Sequence, residues 1–279
     1  MARSILLHKN MIWFYVIVVI LFLLYLWHAP KEPFQDVISK KYYTIVPQTY
    51  DGFGAQYHAI ISGIAYAAQE NLVYVHSPLK ALGSQHGGNV QELNAFIGIP
   101  PGKPPKNIDE MKEEAYSETV HLSENPSEYY TEDVVDKIRK YYYGSKKPNI
   151  SPPDIAIHIR RGDVTREKNR SEVEGPFGGN RYVENSDYKK IIEMLEKKYP
   201  EYNISIFSQG SENDFADLAS NKVTFRLNED LTSTFHSLVT AKVLVTSISS
   251  LSYSAAILNE NTVYYMSFWH KPLDHWNIL

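Results

Sequence analysis

The sequence contains no cysteine, which excludes disulfides, thiolate metal sites and cysteine nucleophiles together. It also lacks any Asp-x-Asp triplet, the carboxylate pair that commonly bridges a metal ion to a nucleotide diphosphate. None of its ten histidines falls in a His-Glu-x-x-His spacing, so no zinc site is suggested. Positive charge is not in excess. The 28 Lys and Arg against 32 Asp and Glu leave a net charge of -4, so no global field attracts nucleic acid and any anion site has to be local.

Long hydrophobic runs are scarce as well. One occurs, Met11 to Trp27, whose 17 residues carry no charge and sit at the short end of what crosses a bilayer. The run ends in bulky Trp27 and His28, unlike the small residues that close a cleaved signal peptide. It is therefore read as a transmembrane anchor over 11–28, with a cytosolic tail over 1–10 and a stalk over 29–41. The expectation is a single-pass type II membrane protein with its body in the Golgi or ER lumen. Sequons at Asn149, Asn169 and Asn203 agree with that address.

The body alternates strand and helix patterns. Tyr42 to Val46 reads as a strand, Asp51-Gly52-Phe53-Gly54 as a glycine turn, Ala55 to Glu70 as a helix and Leu72 to Val75 as a strand, a βαβ unit and hence a parallel sheet. Gly83 to Ser127 reads as loops around one helix, Val90 to Ile97. A helix over Glu132 to Tyr143 and a turn-rich stretch to Pro153 close a first half, 42–150. The second half, 151–279, opens with a buried strand, Asp154 to Ile159. Helices follow over Ser186 to Tyr199, with a Ser/Asp cap, and over Glu212 to Ala219, Leu231 to Ala241 and Ser252 to Leu258. Strands are expected at Ile204 to Phe207 and Val243 to Val245, with Val263 to Met266 closing the sheet.

Ligands of open parallel sheets bind beyond the carboxyl ends of the strands, so Arg160 and Arg161, Ser208 to Ser211, and Ser247 to Ser252 should converge. Arginines offer planar forks that match phosphate oxygens. A serine-rich turn opening a helix offers hydroxyls, backbone N–H groups and the positive helix end. Both features point to a diphosphate. The glycine turn is neither a P-loop nor a dinucleotide fingerprint, because no Gly-Lys follows and Tyr57 stands where a third glycine would fall.

His158-Ile159-Arg160-Arg161-Gly162-Asp163 resembles the His-x-Arg-Arg-x-Asp signature of the fucosyltransferase superfamily, which includes α1,2-, α1,6- and protein O-fucosyltransferases. Gly52-Phe53-Gly54-Ala55-Gln56 resembles the family's N-terminal glycine turn, and Ser247 to Ala256 its C-terminal serine-rich motif. The resemblance implies an α/β fold of GT-B type, two Rossmann-like halves facing a cleft, here preceded by the transmembrane helix. It also implies GDP-fucose or a related GDP-sugar as donor, metal-independent inverting transfer, and a glycan or glycoprotein acceptor. By carry-over, Arg160 and Arg161 hold the diphosphate, Asp163 braces the motif, Ser249 and Ser250 contact phosphate and His158 lines the donor site. Gly52, Gly54 and Gln56 belong to the acceptor side. Glu167 is the first candidate for the base and Asp51 the second. Ala55 departs from the family's Asn, and the serine motif lacks the paired tryptophans of the α1,2 group and the glutamine of the α1,6 group. A transferase using another nucleotide sugar, or an inactive carbohydrate- or nucleotide-binding protein, stays open as an alternative.

Overall fold

The computed structural model describes residues 41–83, 88–107, 111–115, 122–166 and 181–279. The expected anchor, tail and stalk, the sequon at Asn169 and the candidate base Glu167 lie outside them. Among the described residues no helix is long and apolar enough to cross a membrane.

The first sheet is built on β1 (Tyr42–Val46), which pairs in parallel with β2 (Val73–Tyr74) on one side and β3 (Met111–Ala115) on the other. Between β1 and β2 runs α1 (Phe53–Gln69). Thirteen of its seventeen residues are buried, as expected for a helix apolar on nearly every face. One face meets β1, where a Cβ on Gly63 would lie 2.6 Å from Ile45. α2 (Val90–Ile97) is capped by Asn89, whose side chain accepts from the N–H groups of Gln91 and Glu92. α3 (Pro126–Tyr129) and α4 (Glu132–Tyr143) complete this part. β3 falls in the stretch expected to be loops, and α3 begins at its end. The alternation that marks a strand is missing from Met-Lys-Glu-Glu-Ala, and the pairing with β1 supplies what the pattern does not.

The second sheet has six strands, all parallel: β4 (Ile155–His158), β5 (Ile204–Ser208), β6 (Val223–Leu227), β7 (Val243–Val245), β8 (Thr262–Tyr265) and β9 (Asn277–Ile278). Their spatial order is β6-β5-β4-β7-β8-β9, which is the order of a doubly wound sheet reversing direction between β4 and β7. α5 (Asn185–Lys198), a 3-10 helix (Glu212–Leu218), α6 (Leu231–Thr240) and α7 (Ser250–Leu258) make the crossovers. β6 lies where no strand was expected, and β9 lies beyond the strand expected to close the sheet. α5 begins after Glu184, with no side-chain cap, rather than at the expected Ser/Asp cap. The helix expected after β5 is 3-10.

Period-two alternation divides the second sheet's faces. Ile155, Ile157, Ile204, Ile206, Val243 and Val245 pack with Tyr188, Ile192 and Leu195 of α5 and with Phe215 and Leu218. Ala156, Phe207, Leu244, Val263 and Tyr265 face the other way, into a cluster that includes α1, α2, α4, α6 and α7. That cluster runs without a break from the first part of the body into the second, and residues Lys41–Leu279 form one compact unit.

Candidate functional site

A cavity of about 580 Å³ opens at the carboxyl ends of β1, β4, β5, β6, β7 and β8. Its wall takes in His158, Arg160, Arg161, Asp163, Ser249 and Ser250, together with Asp51, Gly52 and Gly54. Of the described residues to which the resemblance assigns a role, Gln56 alone is off this wall. It is buried, and its Nε2 donates to the carbonyls of Asp51 and Ala81 at 2.8 Å each. Gln56 therefore holds the glycine turn from behind, where Gly83 N also donates to Asp51 O.

The geometry centres on the reversal between β4 and β7. Arg160, leaving β4, donates from Nη1 to Ser249 Oγ at 3.1 Å and pairs through Nη2 with Asp163 Oδ2 at 2.5 Å. The ion pair across this turn thus uses Arg160, not Arg161. The Arg160 Nε is buried with no hydrogen-bond partner, and such a donor costs about 1–3 kcal/mol until an acceptor arrives. Ser249 also caps α7, accepting from Leu251 N at 3.3 Å. The other serines of the motif divide their work. Ser247 Oγ bonds His158 Nδ1 at 2.7 Å, Ser252 Oγ accepts from Ser247 N at 3.0 Å, and Ser250 opens the helix on the cavity wall. Burial, and then the nearby Arg160 charge, lowers the His158 pKa to about 3 against the pull of Asp163, so the imidazole is neutral.

Arg161 is differently engaged. Its Nη2 donates to Val183 O at 2.8 Å and Asn185 Oδ1 at 2.9 Å, its Nη1 to Arg160 O at 3.0 Å, and its guanidinium lies 4.0 Å from the Tyr182 ring centre. It ties the end of β4 to the start of α5. Of the turn after β5, Ser208 and Gln209 line the cavity, whereas Ser211 forms a capping box with Asp214 for the 3-10 helix.

Helix ends add to the positive field. α1 and α7 both begin at the cavity, capped by Gly52 and Ser249, with no acidic residue in either first turn. In contrast, α2, α3, α4 and α5 each carry Asp or Glu there. An acidic first turn would offset the helix dipole, so its absence leaves both ends available to an anion. Their junction is tight: a Cβ on Gly54 would stand 2.5 Å from Leu251 N.

Several wall residues carry no motif. Arg181, Glu229, Asp230 and Trp269 line the cavity from three separate segments. The sequence gives them no common signal, although Glu229 and Asp230 follow β6 and would have joined the strand-end rule had that strand been recognised. Asp230 caps α6 through Ser233 N at 2.9 Å, and Glu229 pairs with Arg226. Among the described residues no group of three or more His, Asp or Glu is placed to hold a metal ion.

No protein-family model matches the sequence, and no curated protein matches it significantly. Among solved structures, E. coli heptosyltransferase WaaC with ADP-2-deoxy-2-fluoro heptose is similar at 11% identity and a TM-score of 0.41, over 86% of this chain and 92% of that one. POFUT1 in complex with GDP-fucose is similar at 11% identity and a TM-score of 0.42, over 81% of this chain and 97% of that one. POFUT1 in complex with GDP gives 10% identity and a TM-score of 0.42, over 81% and 98%.

Proposed function

We propose that the protein is an inverting glycosyltransferase that moves fucose from GDP-fucose, or a sugar from a related GDP-sugar, to a hydroxyl of a glycan or glycoprotein. The observation that carries this reading is the Arg160 environment. A guanidinium with an unpartnered buried Nε stands at the reversal point of a doubly wound sheet, bonded to Ser249, the cap of α7. A sugar nucleotide offers that place the oxygens of a diphosphate.

The reaction this supports is a single displacement. The acceptor oxygen attacks the anomeric carbon, the bond from that carbon to the β-phosphate oxygen breaks, and the diphosphate leaves with an added negative charge. Arg160 and the N-termini of α1 and α7 are preorganised to stabilise that charge, the kind of interaction that commonly supplies the largest catalytic contribution. The acceptor proton goes to a carboxylate. Asp51 stands on the wall, and Glu167 is the other candidate. Glu229 and Asp230 line the β6 end of the wall, their carboxylates held by Arg226 and by the first turn of α6. Residues 11–28 and the sequons support a membrane-anchored, lumenal body; Asn149 and Asn203 are both exposed.

A sugar-nucleotide-binding protein without transfer is the second reading. Ala55 favours it, since it lies on the cavity wall where the resembling family has an amide. Thermal stability of the full chain in detergent, with GDP, GDP-fucose, UDP, CDP and ADP, tests the first step. A ligand at a hundredfold excess over its dissociation constant raises stability by about 2.7 kcal/mol. A guanine-selective shift that survives a chelator and is lost in Arg160→Ala is expected. No shift with any nucleotide would remove the reading, and GDP binding without sugar transfer to any acceptor would favour the second one.

A further inference from the structure

The cavity wall holds a second cation that the His-x-Arg-Arg-x-Asp motif does not include. Arg181 reaches it from the chain just before α5, with its guanidinium 4.9 Å from the centre of the Trp269 ring. Trp269 is itself fixed. Its indole N–H donates to His270 Nε2 at 3.1 Å, its ring centre lies 3.9 Å from that of Phe268, and the buried His270 is bonded to Ser123 at 2.5 Å. Stacking engages the face of a guanidinium, whereas its N–H donors lie in the plane, so a stacked arginine can present an edge to an anion.

The two motif arginines are not equivalent. Both Nη2 hydrogens of Arg161 are used, on Val183 O and Asn185 Oδ1, and its face rests on Tyr182. We propose that Arg181, held on Trp269, is the second cation of the diphosphate site beside Arg160, and that Arg161 braces the wall at the start of α5. This rests on the reading of the cavity as a sugar-nucleotide site.

Charge supports the pairing. Burial and then the Arg160 charge lower the pKa of Arg181, against the opposing pull of Asp163 and Asp51, so these four groups share one field. Two arginines acting on each other repel, and an anion between them turns the repulsion into attraction. A nucleoside diphosphate carries more charge for that place than a monophosphate does. Arg181 is therefore a residue that selects diphosphate over monophosphate.

Calorimetric titration of the full chain in detergent with GDP and with GMP tests this, with ADP/AMP and UDP/UMP pairs run in parallel so that the base does not decide. Arg181→Ala and Arg181→Gln are expected to weaken diphosphate binding about 10- to 100-fold and monophosphate binding by less than about threefold, and Arg181→Lys should recover part of the loss. Arg161→Ala should instead lower the melting temperature of the unliganded chain. Unchanged diphosphate affinity in either Arg181 variant that keeps the parent's circular dichroism overturns the proposal. If the parent binds GDP and Arg160→Ala does not, that result leaves the sugar-nucleotide reading standing. Failure of the unaltered chain to bind any of the six nucleotides overturns both.

Discussion

Arg160, Asp163 and Ser249 form one bonded unit although 89 residues separate the arginine from the serine, and Gly162 is what lets the chain turn between them. Its φ is +84°, and a Cβ there would lie 2.3 Å from Gln209 Oε1. Gly162→Ala is therefore expected to cost about 1–3 kcal/mol, from the left-handed backbone and the forced movement of Gln209. Urea unfolding of parent and variant measures it, and equal midpoints would mean that the turn relaxes freely. At this scale the motif was legible because its residues are contiguous and follow a buried strand. Arg181 was not, since only the fold brings it to the same wall. Gln56 was legible as part of a glycine turn but not as inward-facing, because the carbonyls of Asp51 and Ala81 that it satisfies are invisible to a local pattern.

Among the elements, α6 helps to join the two parts of the body, and Phe235 is central to that junction. Phe235 is fully buried, with the rings of Phe53, Tyr57, Tyr142 and Phe96 centred 5.4, 5.6, 6.0 and 6.1 Å away. Those partners come from α1, α2 and α4. Phe235→Ala should cost about 3–5 kcal/mol, because the surrounding rings belong to three different helices and cannot collapse together onto the void. Denaturant titration gives the value, and a loss below about 1 kcal/mol would mean that the cluster does not hold the junction. The elements read correctly from sequence are those with apolar runs or strong helical period, such as β1, β4, α4 and α6. Strands β3, β6 and β9 were not legible for three different reasons. β3 carries Lys-Glu-Glu at its centre, β6 is an edge strand whose residues are only partly buried, and β9 is two residues long. Tertiary pairing, not local preference, makes β3 and β9 strands.

For the whole molecule, the unbroken core from α1 to β8 predicts one cooperative unfolding transition for residues 41–279. Two resolved calorimetric transitions within that span would contradict it. The same burial sets the response to acid. His58 and His158 have pKa values lowered to about 3, and His270 is lowered well below its ordinary value. Burial is the leading cause in each; Arg160 adds to it at His158, and His58 adds to it at His270. In the unfolded chain these imidazoles take up protons near pH 6.5. Between about 6.5 and 3 the unfolded state therefore binds more protons, and stability rises with pH across that window. The stabilisation is fully present above about pH 6.5 and is lost as pH falls, by up to about 1.4 kcal/mol per pH unit for each group. Unfolding free energies from urea titrations at pH 7.5, 6.5, 5.5 and 5.0 should show a shallow upper limb and a steep fall below 6.5. His58→Gln should reduce the slope by one proton's worth wherever it still folds. A profile as flat from 6.5 to 5.0 as it is above would mean that these buried imidazoles titrate alike in the folded and unfolded chain.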